Sequence, residues 1–401
     1  MEHNVTVESL FAQITLDRFL AEKFGKEPYH SVGPADRFLS FFDWRALNQL
    51  LTNCRWAYPR FRLVKDGYDL PPGSYSSPGP SGMDYAVLSF RDVVRHIKEG
   101  ASLVVDAVDE IWPPARRLAE SLERTLGEYV KINAYASWTR EPGFDHHWDD
   151  HDVIIVQIFG SKRWSLFGEG RRFPLRRDVE PNITSPSAAP AKLTVDVKAG
   201  HVLHVPRGYW HSVSTVEAPS LHLTLGITQK TAIDYLHWVA DHFTSNEFMR
   251  RSLPRYSQGD LADHVAQITR ILHDFLAAEA SVNTFLEAVD VQAPGRQHFG
   301  LPGISRSAVA ESLEDATIVW LPARFRVRRS PGEVLVEADG HRWRFHAESE
   351  PLIRALSSRT PIGIDDLASS CGHDGKSARF LVADLILEGL AATADRTGTR
   401  G

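Results

Sequence analysis

Residues 145–160 read Asp-His-His-Trp-Asp-Asp-His-Asp-Val-Ile-Ile-Val-Gln-Ile-Phe-Gly. The first eight positions hold three imidazoles and four carboxylates, and the β-branched run that follows predicts a strand. Carboxylates crowded in this way repel one another, and a bound cation would offset that cost. Because side chains two residues apart in an extended backbone point to the same face, His147 and Asp149 are predicted to bind one metal ion.

A second motif supplies the third ligand. Residues 200–213 read Gly-His-Val-Leu-His-Val-Pro-Arg-Gly-Tyr-Trp-His-Ser-Val, which indicates a strand, a Pro-Arg-Gly turn and a second strand that opens with His211. Two histidines and one carboxylate with open coordination positions form the facial triad of non-haem Fe(II) oxygenases. We therefore prefer His211. The alternative third ligands are His201, His204 and His222. A role in the core or beside the ligands explains His204 equally well.

The composition is that of a globular protein with more than one domain. A length of 401 residues predicts two or three domains, and 24% charged and 43% apolar residues are ordinary values. The net charge of −6 does not show the excess of positive charge that is typical of nucleic-acid-binding proteins. The two cysteines lie far apart in the sequence and indicate neither a disulfide framework nor a cysteine zinc site. We expect a cytoplasmic protein, because we find no signal-peptide pattern and no apolar run of about 18 residues.

The segments before the first motif are predicted to be mainly helical. Helices are predicted within residues 9–25 and at 40–51, 90–99 and 112–127. Residues 71–82 are rich in Pro, Gly and Ser and form the clearest loop of the chain. We interpret this loop as a surface connection, with an active-site lid as the alternative.

A polar row precedes the metal motif. Residues 129–138 alternate like a half-buried strand, and Lys131, Asn133 and Tyr135 share one of its faces. Such a row either faces solvent or lines a cavity. Because Asn133 and Tyr135 lie just before the metal motif, we interpret the row as the wall of a cavity.

Short strands and turn signals continue through residue 228 and predict an antiparallel barrel rather than a parallel sheet. Residues 171–190 interrupt this pattern with four arginines followed by a Pro- and Ser-rich stretch. The simplest interpretation is a solvated insertion, and a loop that contacts the substrate is the alternative.

The chain after Thr231 changes to helical spacing and predicts a helical packing module, which either docks on the barrel or pairs with a second copy. Near the end, strands are predicted at 324–329, 333–337 and 341–345, and helices near 349–357, 364–370 and 376–389. Short helices with a β-hairpin are typical of a winged helix. Residues 305–401 hold 13 Lys and Arg against 14 Asp and Glu, so a DNA-binding role is not favoured.

An iron ion held by three protein ligands keeps three positions free. The keto-acid end of 2-oxoglutarate can occupy two and dioxygen one, and the far carboxylate of this cosubstrate then needs a cation deeper in the barrel. Lys162 lies at the end of the strand that follows the ligands, and Tyr135 could donate its hydroxyl beside it. Arg163 is the alternative cation, and a solvated turn lysine is the alternative interpretation of Lys162.

The motifs together resemble one family. His147-x-Asp149, residues 152–157, Gly160-x-Lys162-x-Trp164 and Pro206-Arg207-Gly208-x-x-His211 are similar to those of the JmjC-type Fe(II)/2-oxoglutarate-dependent oxygenases. The ribosomal oxygenase subgroup, which is cupin-like and hydroxylates side chains of ribosomal proteins, is the most similar. The chain departs from the family pattern at His201, where an acid is usual, and at His146 and His151, which enrich the metal loop.

The resemblance implies a mainly β fold with helices. It consists of a catalytic double-stranded β-helix (jelly-roll or cupin) barrel with N-terminal helices at 1–228, a helical dimerisation module at 229–304 and a winged-helix-like domain at 305–401. It also implies Fe(II) on His147, Asp149 and His211, 2-oxoglutarate on Lys162, with Asn133 and Tyr135 lining the pocket, and dioxygen as the oxidant. The expected partners are a protein or peptide substrate and a second copy of the chain, without membrane or nucleic acid. Two alternatives stay open: a non-oxidative metal cupin of the isomerase type, and a ligand-sensing DNA-binding regulator.

Overall fold

The computed structural model describes residues 5–11, 13–79, 86–139, 146–170, 172–175, 178, 190–277, 280–296, 298, 304–358 and 361–394. The chain divides into two compact units, Met1–Gln229 and Lys230–Arg400. Our finer division into 1–228, 229–304 and 305–401 stays a prediction.

The described helices of the first unit are α1 (Leu16–Glu22), α2 (Trp44–Asn53), α3 (Phe90–Lys98) and α4 (Pro113–Leu126). Its described strands are β1 (Tyr29–Ser31), β2 (Phe61–Lys65), β3 (Tyr68–Asp69), β4 (Ser76–Pro78), β5 (Ala86–Leu88), β6 (Ser102–Val105), β7 (Tyr129–Ser137), β8 (Asp152–Glu169), β9 (Leu193–Lys198), β10 (Val202–Val205) and β11 (Tyr209–Thr228). The four predicted helices are confirmed. The predicted loop at 71–82 was wrong in part, because it contains β4, which pairs with β5. Residues 80–82 lie outside the described residues.

Local sequence explains where these helices begin and end. The Asp43 carboxylate accepts a hydrogen bond from the Ala46 N–H at 2.7 Å and caps the start of α2. Pro113 is the first residue of α4, where its missing N–H leaves no intrahelical bond unmade. The same helix ends at Gly127, whose φ of 71° lies in the left-handed region that glycine tolerates best.

Nine of the described strands form one antiparallel sheet in the order β1-β10-β8-β11-β7-β6-β2-β3, with β9 pairing on β8. Two strands dominate it, since β8 has 18 residues and β11 has 20. The first part of β8 pairs with β10 and the second part with β9, while β11 follows β8 along its other edge. The two long strands therefore run through both halves of the sheet.

Both long strands bend at the same level. Gly160 has a φ of 66°, and a Cβ there would lie 2.4 Å from the carbonyl oxygen of Pro219 and 2.5 Å from that of Glu217. The pairing register of β8 and β11 shifts between Thr215 and Leu221, directly opposite Gly160. Only glycine fits this approach, and the irregular pairing lets the ladder change direction.

The two halves of the sheet enclose one cluster of buried apolar side chains. Val153 and Ile155 reach it from β8 before the bend, and Trp164 and Leu166 reach it from β8 after the bend. The alternate residues, such as Ile154, face the larger core that includes α4. Strand halves that face each other across a shared interior are the arrangement of a double-stranded β-helix.

The described helices of the second unit are α5 (Ala232–His242), α6 (Gln258–Leu276), α7 (Ala280–Gln292), α8 (Arg306–Glu311), α9 (Glu350–Leu356), α10 (Ile364–Cys371) and α11 (Gly375–Leu387). Its described strands are β12 (Thr317–Trp320), β13 (Arg326–Ser330), β14 (Glu333–Ala338), β15 (His341–His346), β16 (Ile362–Gly363) and β17 (Ala391–Thr393). A hairpin turn joins β14 and β15, where Asp339 and Gly340 both have positive φ. None of the helices found in the described residues has the length and apolar character of a membrane span.

Candidate metal centre and inner pocket

The three predicted metal ligands come together at one end of the barrel. His147 and His211 form a β-bridge in which each backbone N–H donates to the other's carbonyl oxygen, at 3.1 and 2.8 Å. One ligand atom from each of His147, Asp149 and His211 lies within 4.8 Å of the other two. The backbone pairing of two distant segments therefore brings the two imidazoles and the carboxylate together.

The His211 ring is set to offer its outer nitrogen. Its Nδ1 donates to the carbonyl oxygen of Tyr209 at 2.9 Å, which leaves the Nε2 lone pair directed at the cluster, 3.8 Å from Asp149 Oδ2. Burial, reinforced by the neighbouring His147 ring, lowers the pKa of His211 to about 4. A neutral imidazole whose second nitrogen is bonded to a carbonyl is the form that binds a metal, so this donor set fits Fe(II).

A polar pocket lies along the inner face of β7 and β11. Ile132 and Ala134 of β7 point to the larger core, so Asn133 and Tyr135 point inward. Tyr135 lies opposite His222 of β11, and the two rings stack at 5.0 Å with an angle of 7°. Burial raises the pKa of Tyr135 to about 12, so its hydroxyl stays protonated and can donate. The interpretation of the polar row as a cavity wall agrees with this placement.

Lys162 projects into the same pocket from the second half of β8. Its side chain is buried, with 8% of the residue exposed, and Nζ donates to Ser137 Oγ at 3.2 Å. Ser137 in turn bonds Ser102 at 2.8 Å. No carboxylate of a described residue forms an ion pair with Lys162, and burial lowers its pKa to about 8. A buried ammonium group that is hydrogen-bonded to a hydroxyl, and not to a carboxylate, is suited to bind an anion from outside the chain.

Arg163 points the other way. It forms a two-pronged ion pair with Asp196 at 2.7 and 2.8 Å on the exposed surface of the barrel. Its side chain is half exposed, so it does not compete with Lys162 for a ligand inside the barrel. The structure therefore places Lys162, and not Arg163, in the pocket.

Asn133 has a role that the sequence did not reveal. Its carbonyl oxygen accepts a hydrogen bond from the backbone N–H of Ala107 at 3.0 Å, and its amide bonds the Tyr135 side chain. Ala107 adopts the left-handed conformation with a φ of 54°. Asn133 thus holds an irregular turn in place and orients Tyr135 beside the pocket.

Among the described residues, the other histidines near the motifs are not part of the metal cluster. His204 bonds the buried Asp152 at 3.1 Å, and His201 bonds His30 at 3.0 Å. His151 bonds Asp150 at 2.8 Å, and the His146 ring packs on Phe167. His222 lies inside the pocket, where its ring stacks on Tyr135. Ser102 and Ser137 could not be recognised as pocket residues from the sequence, and His222 was considered only as a metal ligand, because their strands become neighbours only after folding.

A family model described as a JmjC domain matches residues 110–235. This segment contains all three candidate metal ligands as well as Tyr135 and Lys162. The matched segment makes up about a third of the chain. The resemblance to JmjC-type ribosomal oxygenases that the motifs indicated is therefore confirmed.

Curated relatives of this chain are larger proteins. The bifunctional lysine-specific demethylase and histidyl-hydroxylase NO66 of Drosophila persimilis is 23% identical over 239 residues, 56% of this chain and 32% of that protein. Ribosomal oxygenase 2 of Rattus norvegicus is 31% identical over 176 residues, 42% of this chain and 36% of that protein. The chain spans about a third of the length of these relatives.

Solved structures share the fold of this chain almost end to end. The ribosomal oxygenase YcfD of Escherichia coli matches with a TM-score of 0.60 and 18% identity, over 95% of this chain and 98% of that one. The same protein in complex with cobalt and 2-oxoglutarate matches with a TM-score of 0.58. The predicted JmjC or cupin-type fold with mixed strands and helices is confirmed, whereas the winged-helix-like assignment stays a prediction.

Proposed function

We propose that this chain is an Fe(II)- and 2-oxoglutarate-dependent dioxygenase that hydroxylates a side chain of a protein, with ribosomal proteins as the favoured class, or of a peptide. One observation carries the proposal. His147, Asp149 and His211 meet at one end of a barrel whose interior also holds Lys162, a buried cation without an ion-pair partner among the described residues. A metal ion that leaves positions open and a cation deeper in the barrel suit a ligand with two anionic ends.

Each pocket residue has a defined task in this reaction. His147, Asp149 and His211 would hold the iron, and Lys162 would bind the far carboxylate of 2-oxoglutarate, with the Tyr135 hydroxyl beside it. Iron, 2-oxoglutarate and dioxygen supply the oxidising chemistry, in which 2-oxoglutarate loses carbon dioxide to become succinate and one oxygen atom enters the substrate. The apolar cluster between the two half-sheets, which includes Trp164 and Leu166, keeps bulk water away from the pocket.

The substrate class follows from the relatives. One is named a histidyl-hydroxylase and lysine-specific demethylase, and another a ribosomal oxygenase. The first name specifies amino-acid side chains, and the second specifies the ribosome. A protein side chain is therefore the substrate that we propose, with the identity of the hydroxylated residue left to experiment.

The test measures two products in parallel. Purified protein with Fe(II), ascorbate and 2-oxoglutarate is incubated with ribosomal proteins and a peptide panel. We expect succinate formation and a mass gain of one oxygen, both lost in His147→Ala and Asp149→Ala. Arg163→Ala, on the outer surface, is the matched control and should retain both. Tight metal binding without any succinate would instead indicate a non-oxidative cupin.

We also propose that the second unit mediates homodimerisation. The 19-residue helix α6 has no buried residue within one chain, although Leu261, Val265, Ile268 and Leu272 recur on one side of it. An apolar stripe of this length favours a partner helix. Val265→Asp should convert a dimer into a monomer in light scattering, whereas His273→Asp, on an exposed position of the same helix, should not.

For residues 305–401 we propose the winged-helix-like fold, supported by the consecutive helices α10 and α11, which pack with the strands β12 and β14 on one core. Since charges nearly balance there, we propose no nucleic-acid partner for it. A cytoplasmic location is also proposed, and cell fractionation would test it.

A further inference from the structure

Phe173 is an exposed aromatic residue in a costly conformation. Its side chain is 52% exposed, and its φ of 52° lies in the left-handed region that bulky residues rarely adopt. The guanidinium groups of Arg172 and Arg207 lie 5.0 and 5.6 Å from the centre of its ring. Strain at an exposed residue persists only where the surroundings enforce it, and such residues concentrate at functional sites.

Contacts of the residues that follow Phe173 keep its ring exposed on the surface. The buried Asp178 carboxylate accepts a hydrogen bond from the Leu175 N–H at 2.7 Å, and the Asp178 N–H donates to the Leu175 carbonyl at 2.8 Å. Pro174, which lies between Phe173 and Leu175, is buried. The two hydrogen bonds of Leu175 and the buried Pro174 anchor the chain beside Phe173, and the two cation–π contacts hold its ring.

We call Phe173 and Arg207 together the platform. The platform lies next to the loop that carries His147 and Asp149. Arg207 belongs to the Pro-Arg-Gly turn, and the N–H of Gly208 donates to the carbonyl oxygen of the metal ligand Asp149 at 2.9 Å. The carbonyl oxygen of Gly208 accepts from the N–H of Gly170, just before the Phe173 segment, at 3.0 Å. Three chain segments are thus joined by backbone bonds at the rim of the metal centre.

Arg207 supplies a positive charge beside the Phe173 ring. Arg207 forms no ion pair with a carboxylate in the described part of the chain. An arginine held against an aromatic ring keeps its outward N–H groups available and loses little freedom when it binds a carboxylate. The ring beside it offers apolar surface to the rest of a peptide.

We propose that Phe173 and Arg207 are specificity-determining residues that bind the substrate peptide beside the hydroxylated residue and select an Asp or Glu there. This inference rests on the proposed function, because it presumes a peptide at the metal centre. It favours the alternative interpretation of residues 171–190, a loop that contacts the substrate, since Phe173 of that segment contacts Arg207 of the Pro-Arg-Gly turn. Residues 171, 176, 177, 179–189 lie outside the described residues.

The test uses binding rather than turnover. Two sets of fluorescent peptides share one central residue. In the acidic set it is flanked by Asp and Glu, and in the basic set by Lys and Arg. Fluorescence anisotropy measures the binding of each set to the full chain in the presence of Mn(II) and 2-oxoglutarate. We expect the wild type to prefer the acidic set by about fivefold, the scale of an exposed ion pair. Arg207→Glu should reverse the preference, and Phe173→Ala should weaken both sets by about tenfold through lost apolar contact.

Matched controls separate this platform from general charge effects. Arg18→Glu makes the same charge change on the exposed α1, and Phe90→Ala removes an exposed ring from α3; both should leave peptide binding unchanged. Equal affinity of Arg207→Glu and wild type for the acidic set would overturn the proposal. Failure of the proposed function is distinguishable, because it would appear as absent succinate while the peptide preference persists.

Discussion

Two histidine–aspartate pairs lie close together in the sequence and behave in opposite ways. Asp149 and His211 approach to 3.8 Å without a direct hydrogen bond, and 30% of the Asp149 side chain is exposed. Asp152 and His204 bond directly at 3.1 Å, and neither side chain is exposed. The first pair is accessible to an ion, whereas the second pair is joined by a hydrogen bond in the closed interior.

The surroundings enforce this difference. Asp152 also accepts the backbone N–H of Gly25 at 3.1 Å, and the His204 ring packs edge-on against Phe19 at 5.2 Å. These contacts attach the N-terminal segment to the barrel and close the pair off from ligands. Access from outside, and not residue type, therefore distinguishes the metal-binding pair from the structural pair.

The largest expected contrast between the pairs is in metal affinity. Asp149→Ala removes a ligand and should weaken Fe(II) or Mn(II) binding by about 100-fold or more, because only two imidazoles remain. Asp152→Ala should retain metal binding in its folded fraction. Isothermal titration with Mn(II) measures both, and equal losses in the two variants would contradict the assignment of separate roles.

The reverse contrast is expected for stability. Asp152→Ala leaves a buried imidazole without its acceptor and should lower the free energy of unfolding by about 2 kcal/mol. Asp149→Ala, at a partly exposed position, should change it by less than about 0.5 kcal/mol in the absence of metal. Urea titrations at constant pH compare the two variants, and a larger loss for Asp149→Ala would reverse our interpretation.

Lys162 and Arg163 show the same contrast, between a side chain that is available to a ligand and a side chain that is paired within the chain. Lys162→Ala removes the cation in the pocket and should weaken 2-oxoglutarate binding by about tenfold with metal binding retained. Arg163→Ala breaks only an exposed ion pair with Asp196 and should leave this affinity unchanged. The Kd for 2-oxoglutarate in the Mn(II)-loaded protein decides between them.

The smallest expected effect is a pH dependence. Burial lowers the pKa of Lys162 to about 8, so the ammonium form that binds a carboxylate is present below this pH and is lost above it. We expect 2-oxoglutarate affinity to fall by about fivefold from about pH 7 to about pH 9. Lys162→Arg should flatten this decline, since arginine stays protonated. An affinity that rises with pH would contradict the role of Lys162.

The same depressed pKa has a consequence for the ligand-free protein. The folded value of about 8 lies below the ordinary value of 10.5, so the unfolded chain binds the extra proton between these values. The contribution of Lys162 to the free energy of unfolding therefore improves as pH rises through this window. Titrating the ligand-free Lys162→Met variant beside the wild type isolates this contribution.

Sequence reasoning reached the metal centre because its signals are local. His147 and Asp149 are two residues apart in an extended segment, and His211 follows a recognisable turn. Lys162 could be chosen over Arg163 only through the family resemblance, because neighbouring strand residues point to opposite faces and the sequence does not say which face is inward.

The features that sequence reasoning missed depend on long-range pairing. The hydrogen bond from Ala107 to Asn133 needs a left-handed turn at Ala107, for which an alanine gives no signal. The Tyr135–His222 stack depends on the register between β7 and β11. Phe173 could not be recognised either, since its arginine partner Arg207 belongs to a separate motif.

The length of β8 has one more consequence. This strand begins three residues after Asp149 and continues through the bend to Lys162, so covalent geometry and ladder pairing fix the spacing between Asp149 and the ammonium group. We expect this spacing to select dicarboxylic keto acids by their length. A homologue one carbon shorter, such as oxaloacetate, or one carbon longer should therefore bind more weakly than 2-oxoglutarate.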